Sequence, residues 1–292
     1  MNDREIRARI DTSRPHPARV YDALLGGKNH YSVDRDAAEN SLRRNPRGYL
    51  DVRHNRDFMR RAVLYLTREA GLRQFLDVGT GLPTSPNVHE IAQSVAPQAR
   101  VVYVDHDPVV LAHARALLSS GPQGRTAYLD ADLRAPDTIL DGARATLDLD
   151  RPVGLGLGAI LHFVEDPAAH DILAKLLDAL PSGSAVFLTH VTADLNPETI
   201  VPGLKATGLP FTLRTRAEFL RFLTDNGMEP VDPGVVPVHR WRPDTTWHKV
   251  HTEPEDLTGL GDLGPLERAA RQGIGDVRDE DINIYGAVAL KP

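Results

Sequence analysis

The sequence predicts an α/β fold built around a mostly parallel sheet with helices on both faces. Short apolar runs alternate with helix-forming segments from Gln74 onward, a glycine turn follows the first run, and an acidic residue closes the second. Apolar strands joined by helices are typical of parallel sheets covered on both faces, because such strands are buried on both sides. Two late strands with little helix between them indicate that one strand runs antiparallel.

The predicted sheet has seven strands, at 75–78, 100–104, 126–129, within 152–163, and at 184–190, 231–238 and 283–290. The helices expected between them are 88–95, 109–118, 167 to about 180, and one from 216 that ends at Gly227. Prolines mark three of the helix starts, at Ser85-Pro86, Asp107-Pro108 and Asp166-Pro167. Thr215 and Glu218 form a capping box at the fourth.

The first part of the chain is different, with helices predicted at 17–25, 34–42 and 55–70. We therefore divide the chain into a helical N-terminal extension (1–72) and a main domain (73–292). Residues 251–280, rich in Gly, Asp and Glu, are expected to form a surface excursion with one short helix around 266–271. The extension either packs on the sheet or acts as a lid, since ligands of open α/β sheets bind beyond the C-terminal ends of the strands.

Composition excludes several classes of function. The 292 residues include no cysteine, which rules out disulfides, thiolate metal sites and a cysteine nucleophile. The histidines show no metal-ligand spacing, so no metal site is expected. A net charge of −6 gives no support for nucleic acid as a partner. With no apolar leader and no apolar run long enough to span a bilayer, we expect a cytoplasmic protein without a membrane partner.

The glycine turn Gly79-Thr80-Gly81 follows Asp77, and this acid indicates the kind of cofactor. A dinucleotide fingerprint needs a small third residue where this chain has Thr84, and a pyrophosphate would lie close to the like charge of Asp77. S-adenosylmethionine has no phosphate and carries a sulfonium and an ammonium group, so it suits the turn better. The alternative is a tight strand-to-helix turn that binds nothing.

Acidic residues also follow the next two strands. Asp105 is placed to accept both ribose hydroxyls, and Asp132 to meet the adenine amino group. The alternative is that such aspartates cap the following helices, which we favour for Asp107 because Pro108 follows it. Several carboxylates on one edge repel each other unless a cation or hydrogen-bond donors lie among them, so capping alone does not account for Asp105 and Asp132.

The fourth strand has glycines at alternate positions, which allow either a ligand or a neighbouring segment to come close. Gly154 and Gly156 suit both interpretations, whereas Gly158 and Ala159 lie nearer the ligand edge and are expected to contact the cofactor. His162 and His190 lie on the same edge and are candidates for a general base, required only when the methyl acceptor must lose a proton. Their alternative role is structural.

The run from Arg19 to Tyr31 is dense in polar, aromatic and glycine residues, and Tyr21 and Asn29 could contact a cofactor from above. The segment Arg19-Val-Tyr-Asp-Ala-Leu-Leu-Gly-Gly-Lys-Asn29, with 34–36, resembles the opening of an actinobacterial S-adenosylmethionine-dependent methyltransferase family formerly described as a domain of unknown function. The resemblance continues at 75–81, 102–108, 128–133, 161–163 and 233–236. The glycine-rich start of the fourth strand departs from it.

The resemblance implies a class I methyltransferase (Rossmann-like) fold with a helical segment over the cofactor pocket. The predicted cofactor-binding residues are Asp77, Gly79, Thr80, Gly81, Asp105, His106, Asp132, Leu133, Gly158, Ala159, Tyr21 and Asn29. We expect S-adenosylmethionine as the cofactor and a small-molecule methyl acceptor, which the resemblance does not identify. The alternatives are a non-enzymatic S-adenosylmethionine-binding protein and, less favoured because of Thr84 and Asp77, a nicotinamide-dependent oxidoreductase.

Overall fold

The computed structural model describes residues 10–117, 121–244, 263–274 and 277–292. In this part of the chain three helices come first: α1 (Pro17–Leu25), α2 (Ser32–Arg44) and α3 (Gly48–Arg68). The helix α1 matches its predicted bounds and ends at Gly26, whose left-handed φ of 83° directs its N–H back to the carbonyls of the last turn. The helix α3 starts earlier than predicted, at Gly48.

Within the described ranges, eight strands form one sheet. They are β1 (Gln74–Val78), β2 (Arg100–Asp105), β3 (Arg125–Asp130), β4 (Gly154–Gly158), β5 (Ala185–Val191), β6 (Glu229–Pro230), β7 (Val236–Pro237) and β8 (Ile284–Leu290). The spatial order is β3-β2-β1-β4-β5-β8, and the two short strands β6 and β7 both pair with β8 at the next position. The first five strands are parallel and β8 is antiparallel to β5, so the mostly parallel sheet with seven positions is confirmed.

The helices of the main domain are α4 (Val88–Val95), α5 (Pro108–Leu117), α6 (Pro136–Ala143), α7 (Ala168–Asp178), α8 (Pro197–Ala206), α9 (Arg216–Thr224) and α10 (Pro265–Ala270). Two of them, α6 and α8, were not predicted. Both are short, and α8 contains an internal proline, Pro202, which weakens its helical pattern.

Two of the helix starts follow the predicted chemistry. Asp107 Oδ1 accepts the N–H of Val109 at 2.7 Å, which confirms the capping role for this acid at the start of α5. The capping box of α9 is present, with the Thr215 N–H donating to Glu218 at 2.8 Å and the reciprocal bond at 3.3 Å.

The predicted bounds of α4 are confirmed, but the predicted start signal is wrong. This helix begins at Val88, and its capping box is made by Asn87 and Glu90 rather than by Ser85. Asn87 directly precedes the helix and its N–H donates to Glu90 Oε2, so Asn87 takes the position that the Ser85-Pro86 pair was expected to hold.

The fourth strand and the last-but-one strand are shorter than predicted. The strand β4 ends at Gly158 because Ala159 adopts a left-handed φ of 55°, and a short 3₁₀ helix (Leu161–Phe163) follows. The predicted strand at 231–238 is broken at Gly234, whose φ is 76°, which leaves only β6 and β7.

Helices cover both faces of the sheet, as predicted. Leu76 and Val78 of β1 share one apolar core with α6, α7 and α9. Phe75 and Tyr103 face the other side and pack with α3 and α4. The buried side chains of α3 therefore belong to the same core as the sheet, whereas α1 and α2 form a smaller cluster of their own around Ala38.

The region predicted as a surface excursion, 251–280, lies partly outside the described residues, which leave out 245–262 and 275–276. The short helix expected at 266–271 is present as α10, and it packs against α1 and α2. Arg53 of α3 donates to the carbonyl of Ala269 at 2.7 Å and so ties α10 to the helical layer. In the described part of the chain, the helices are too short or too polar to cross a membrane.

Candidate active site

A cavity of about 490 Å³ lies at the edge of the sheet where the parallel strands end. The residues that follow β1, β2, β3 and β4 form one side of it, and α1, α2, α3, α8 and the loop after α8 form the other. Small-molecule sites in proteins typically enclose about 300–1,000 Å³, so the size fits a cofactor with a small partner. Of the predicted cofactor residues, all but Asp77 and Asn29 line this cavity.

The glycine turn after β1 is held by hydrogen bonds inside the protein. The N–H groups of Gly79 and Thr80 donate to the Val104 carbonyl at 2.8 and 3.2 Å, and that of Gly81 donates to Asp105 Oδ2 at 2.9 Å. Gly79 has a φ of 72°, and a Cβ there would lie 2.6 Å from Ile160 Cγ1. Glycine is therefore required at this position by both the backbone conformation and the available space.

Asp77 lies behind the turn rather than on the cavity wall. It is 3% exposed, and its Oδ2 accepts the Thr80 hydroxyl at 3.0 Å. Burial raises the pKa of Asp77 to about 6. Its position supports a role in holding the turn, and it offers no direct contact with a ligand in the cavity.

Asp105 faces the cavity and already accepts three backbone N–H groups. Oδ1 accepts from His106 at 2.8 Å and from Asp107 at 2.9 Å, and Oδ2 accepts from Gly81 at 2.9 Å. Burial raises the pKa of Asp105, although these N–H groups oppose the shift. A carboxylate has about four lone-pair positions, so about one remains, and the predicted bidentate contact would require the Gly81 N–H to move.

The end of β3 contributes Asp132 and Leu133 to the wall. The Asp132 side chain is 43% exposed, and its Oδ1 accepts the Arg134 N–H at 2.8 Å, which leaves Oδ2 directed away from that turn. Leu133 is buried and adds an apolar surface beside it. His106 also lines the cavity, with its side chain 54% exposed.

The glycines of β4 divide into two groups. A Cβ at Gly154 would lie 2.7 Å from Phe75, and one at Gly156 would lie 2.3 Å from Phe187, so aromatic rings of the neighbouring strands fill that space. Gly158 lines the cavity. Ala159 also lines it, and its N–H donates to the Thr189 hydroxyl at 2.8 Å, which holds the left-handed residue in place.

The N-terminal motif is organised by a buried acid, Asp22. Its carboxylate accepts the Asn29 N–H at 2.9 Å and contacts His30 Nδ1 at 3.0 Å. A Cβ at Gly27 would lie 2.1 Å from Asp22 Oδ1, so the chain passes the carboxylate at a distance that only glycine permits. Asn29 thus lies on the loop and not on the cavity wall.

Tyr21 does line the cavity, but its hydroxyl is engaged by α3. The O–H donates to the Val52 carbonyl at 3.0 Å and accepts from Asn55 Nδ2 at 2.8 Å. Burial raises the pKa of Tyr21 to about 12, so the hydroxyl stays protonated at neutral pH. Tyr21 therefore offers its ring to the cavity and uses its hydroxyl to fix α1 against α3.

Two further contacts hold α1 over the sheet edge. His16 Nδ1 lies 2.8 Å from Asp107 Oδ2, and Arg19 lies between Asp34 and Asp107, at 3.6 Å from each carboxylate. Burial alone would raise the pKa of Asp107, but the hydrogen bond and charge of His16 bring it below its ordinary value. The acid that caps α5 therefore also anchors the N-terminal segment beside the cavity.

His190 does not belong to the residues that line the cavity, and its ring is fully engaged. Nε2 lies 2.7 Å from Arg214 Nη1, which can only donate, and Nδ1 lies 2.6 Å from the Val191 carbonyl, which can only accept. The ring is therefore neutral, with its proton on Nδ1 and its lone pair occupied. Burial, together with the charge of Arg214, lowers the pKa of His190 to about 4. This geometry argues against His190 as a general base.

Arg214 organises the segment that follows β4. Its guanidinium donates to the carbonyls of Leu161 and Val164, at 3.1 and 2.8 Å, and to the carboxylate of Asp166 at 2.9 Å. These bonds fix the 3₁₀ turn that presents His162 to the cavity. His190 is thus one partner in a positioning network and acts through Arg214.

His162 lines the cavity and is 5% exposed. Its Nδ1 has no hydrogen-bond partner among the residues that the structure describes. Burial, with the nearby His190 and Arg214, holds the pKa of His162 well below its usual range, so the ring is neutral and has a lone pair at neutral pH. Of the two predicted histidines, only His162 lines the cavity.

Sequence reasoning missed part of the wall. Asp51 and Asn55 lie one turn apart on α3 and face the cavity, and Ile200 and Leu204 of α8 lie opposite. Two polar residues four apart within an otherwise apolar helix stripe were a visible pattern for the first pair. The helix α8 left no such pattern, because it was itself not predicted.

The residues of the cavity fit a phosphate-free adenosyl cofactor. All three N–H groups of the turn donate within the protein, so the turn has no free donors for a pyrophosphate, which dinucleotide folds bind there. The acceptors that remain, on Asp105 and Asp132, suit ribose hydroxyls and an adenine amino group. This donor and acceptor pattern disfavours a nicotinamide dinucleotide.

Comparison with known proteins leads to the family that the N-terminal motif resembles. The model of the S-adenosyl methyltransferase family matches residues 3–292. A protein of the DUF574 family from Streptomyces avermitilis is 47% identical, with a TM-score of 0.83 over 97% of this chain and 100% of that chain. A protein from Thermobifida fusca, proposed to be a methyltransferase, is 36% identical, with a TM-score of 0.77 over 96% of each chain. None of the curated proteins compared with the sequence matches it.

These matches confirm what the N-terminal motif implied. The fold is that of the class I methyltransferases, the protein is an S-adenosylmethionine-dependent methyltransferase, and S-adenosylmethionine is its cofactor. The chain belongs to the S-adenosyl methyltransferase family.

Proposed function

We propose that the protein transfers the methyl group of S-adenosylmethionine to a small molecule that binds in the same cavity. One observation carries this proposal: the cavity of about 490 Å³ is continuous from the strand-end acids to an apolar compartment beyond β4. Asp132, Asp105, the glycine turn and Gly158 follow the sheet order β3-β2-β1-β4. The compartment continues past them toward β5 and β8, and its walls come from α3, α8 and the loop after α8.

The cofactor supplies an activated methyl group on a sulfonium, so this chain has to hold, orient and shield the reactants. We assign the ribose to Asp105 and the adenine to Asp132, with Leu133 and His106 beside them. Gly79, Thr80, Gly81, Gly158 and Ala159 give the close backbone approach that the methionine end needs, and Tyr21 adds a ring above.

The N-terminal segment would exclude water from this site. Because α3 shares the core of the sheet, a lid would consist of residues before α3, chiefly α1 with the segment leading into it. The contacts of His16 and Arg19 with Asp107 hold that segment down, and they lie directly beside Asp105. A lid anchored at this point would close over the ribose end of the cofactor.

The net charge of −6 supports a small molecule over a nucleic acid as the acceptor. If the acceptor is a hydroxyl, a proton must leave it, and His162 is the residue placed to take it. We expect His162→Gln to lower kcat while the affinity for S-adenosylhomocysteine stays unchanged. A variant with full activity would assign His162 to structure alone.

The test of the function has two parts. Calorimetric titration of the wild-type protein should show binding of S-adenosylhomocysteine and no binding of NAD⁺. Asp132→Asn should weaken the binding of S-adenosylhomocysteine, whereas the control Asp137→Asn, on the exposed side of α6, should leave it unchanged. Radiolabelled S-adenosylmethionine is then incubated with the protein and with small-molecule or macromolecular fractions of a bacterial extract. Label in the small-molecule fraction supports the proposal. Label only in macromolecules, or binding without any transfer, would overturn it, and the latter would favour the non-enzymatic alternative.

A further inference from the structure

The cavity has a polar wall made of Asp51 and Asn55, and Asn283 is hydrogen-bonded to Asp51. We call these three residues the α3–β8 acidic wall. Asp51 and Asn55 line the cavity, and Asn283 directly precedes β8. All three residues are at least nine-tenths buried, with exposed fractions of 6%, 1% and 1%. Buried polar groups are nearly always hydrogen-bonded, so any unpaired atom here needs an explanation.

The orientation of Asn55 is set by its neighbour. The Tyr21 hydroxyl must donate its hydrogen to the Val52 carbonyl, so it can only accept from Asn55, which therefore presents Nδ2 to it at 2.8 Å. Asn55 Oδ1 is consequently turned away, and it has no hydrogen-bond partner within the described ranges.

The same argument applies to Asn283. Its backbone N–H donates to Asp51 Oδ1 at 2.6 Å, and its Nδ2 approaches Asp51 Oδ2 at 3.4 Å. Because the amide group turns its NH₂ toward the carboxylate, Asn283 Oδ1 is left as an acceptor, again without a partner among the described residues. The wall thus carries unused acceptors on both asparagines and spare lone pairs on Asp51.

The carboxylate of Asp51 also lacks a compensating cation in the part of the chain that the structure describes. Its contacts are the two Asn283 groups. The arginines close to it in sequence are engaged elsewhere, since Arg47 pairs with Asp281 at 2.9 Å and Arg53 donates to the Ala269 carbonyl at 2.7 Å. Burial raises the pKa of Asp51 to about 7, and the hydrogen bonds from Asn283 only partly oppose this shift. A buried carboxylate with unpaired acceptors around it is stabilised by a ligand that brings positive charge and several N–H donors.

The wall extends from the cofactor residues toward β8. Asn55 donates to the Tyr21 hydroxyl, whereas Asn283 precedes β8, which is two strands beyond β4 in the sheet order. Neighbouring strands are about 4.8 Å apart, so β8 is about 10 Å past the strand that ends in Gly158. The cavity also has an aromatic wall, formed by Phe163 and Phe211, whose ring centroids are 5.0 Å apart.

We propose that the α3–β8 acidic wall is the recognition site for a protonated amine on the methyl acceptor, which is a small apolar or aromatic molecule. The amine donates to Asp51 and Asn55, which line the cavity, and its apolar part lies against Phe163 and Phe211. Asn283 holds the Asp51 carboxylate in place. An ammonium held in this way has no lone pair, so the wall anchors the acceptor while another atom of it receives the methyl group. This inference rests on the proposed function.

The test uses 2-phenylethylamine as the probe, with 2-phenylethanol and 3-phenylpropionate as neutral and anionic counterparts. Each is titrated into the protein, with and without S-adenosylhomocysteine, and binding is followed by ligand-observed NMR. We expect the amine to bind roughly tenfold or more tightly than the alcohol, the order expected of a hydrogen bond to a charged group, and the propionate not to bind. Asp51→Asn keeps an acceptor for the Asn283 N–H and should remove this preference without changing the affinity for S-adenosylhomocysteine.

The outcomes separate the two proposals. If S-adenosylhomocysteine does not bind the wild-type protein, the proposed function fails, whatever the amine does. If it binds but the amine binds no better than the alcohol or the propionate, the inference fails and the function stands. If Asp51→Asn weakens S-adenosylhomocysteine and leaves the amine unaffected, Asp51 belongs to the cofactor and the inference is overturned. Binding of the three probes to the wild-type protein decides between these outcomes even if the variant does not fold.

Discussion

Replacement of Asp105 by Ala should weaken the binding of S-adenosylhomocysteine by an amount that the structure limits. The carboxylate already accepts N–H groups from Gly81, His106 and Asp107, so about one lone-pair position remains for a ribose hydroxyl. A hydrogen bond to a charged group contributes roughly 1.5–3 kcal/mol, so the affinity should fall roughly 10- to 150-fold. Two such bonds would give about twice that free energy.

Calorimetry with 2′-deoxy and 3′-deoxy analogues of S-adenosylhomocysteine can count these bonds. Only one of the two analogues should bind the wild-type protein more weakly than the parent compound, and Asp105→Ala should bind that analogue and the parent equally. Asp137→Ala, with the same change on an exposed side chain of α6, is the matched control. Equal losses of affinity with both analogues would mean that the Gly81 N–H moves and that Asp105 binds both ribose hydroxyls. If Asp105→Ala binds S-adenosylhomocysteine as tightly as the wild-type protein, the assignment of the ribose to Asp105 is refuted.

Three further changes test the architecture around the site. Gly79→Ala should lower the free energy of unfolding by roughly 1–2 kcal/mol because of the left-handed conformation, and by about 1–3 kcal/mol more because the new Cβ collides with Ile160. Adding Ile160→Ala removes only the collision, so urea unfolding of the double variant should recover only the second of these losses. Burial raises the pKa of Asp77 from 3.8 to about 6, so the free energy of unfolding of the wild-type protein falls as pH rises through this range. The free energy of unfolding of Asp77→Asn should therefore increase relative to wild type by up to about 3 kcal/mol between pH 4 and 8. A difference that does not depend on pH would contradict this. Arg214→Lys should lower the free energy of unfolding by at least about 1–3 kcal/mol, because it leaves buried partners such as His190 unpaired, and an unaltered unfolding curve would count against the network.

The sheet could be predicted from the sequence because its strands and most helices carry local patterns. Apolar runs, the Asp107-Pro108 start and the Thr215 capping box each depend on a few adjacent residues, and all three are present in the structure. The errors arose where neighbours in space decide. Ala159 takes a left-handed conformation because Thr189 of the next strand accepts its N–H, and this ends β4 earlier than the apolar run suggests.

The cavity wall at the ends of β1 to β4 was also open to prediction, since parallel strands bring their ends to one edge regardless of strand order. The polar wall on α3 was not. Asp51 and Asn283 are 232 residues apart, and no local pattern relates them. The occupied lone pair of His190 likewise depends on Arg214, which follows it by 24 residues. Contacts of this kind follow from the tertiary structure alone.

The contact between Asp51 and Asn283 has a consequence for the biosynthesis of the protein. The helix α3 leaves the ribosome before residue 283 is made. Until then, Asp51 lacks the two Asn283 groups that donate to it in the folded protein. Chains truncated before residue 283 would therefore leave this acid without those hydrogen-bond donors, even if their glycine turn had already formed.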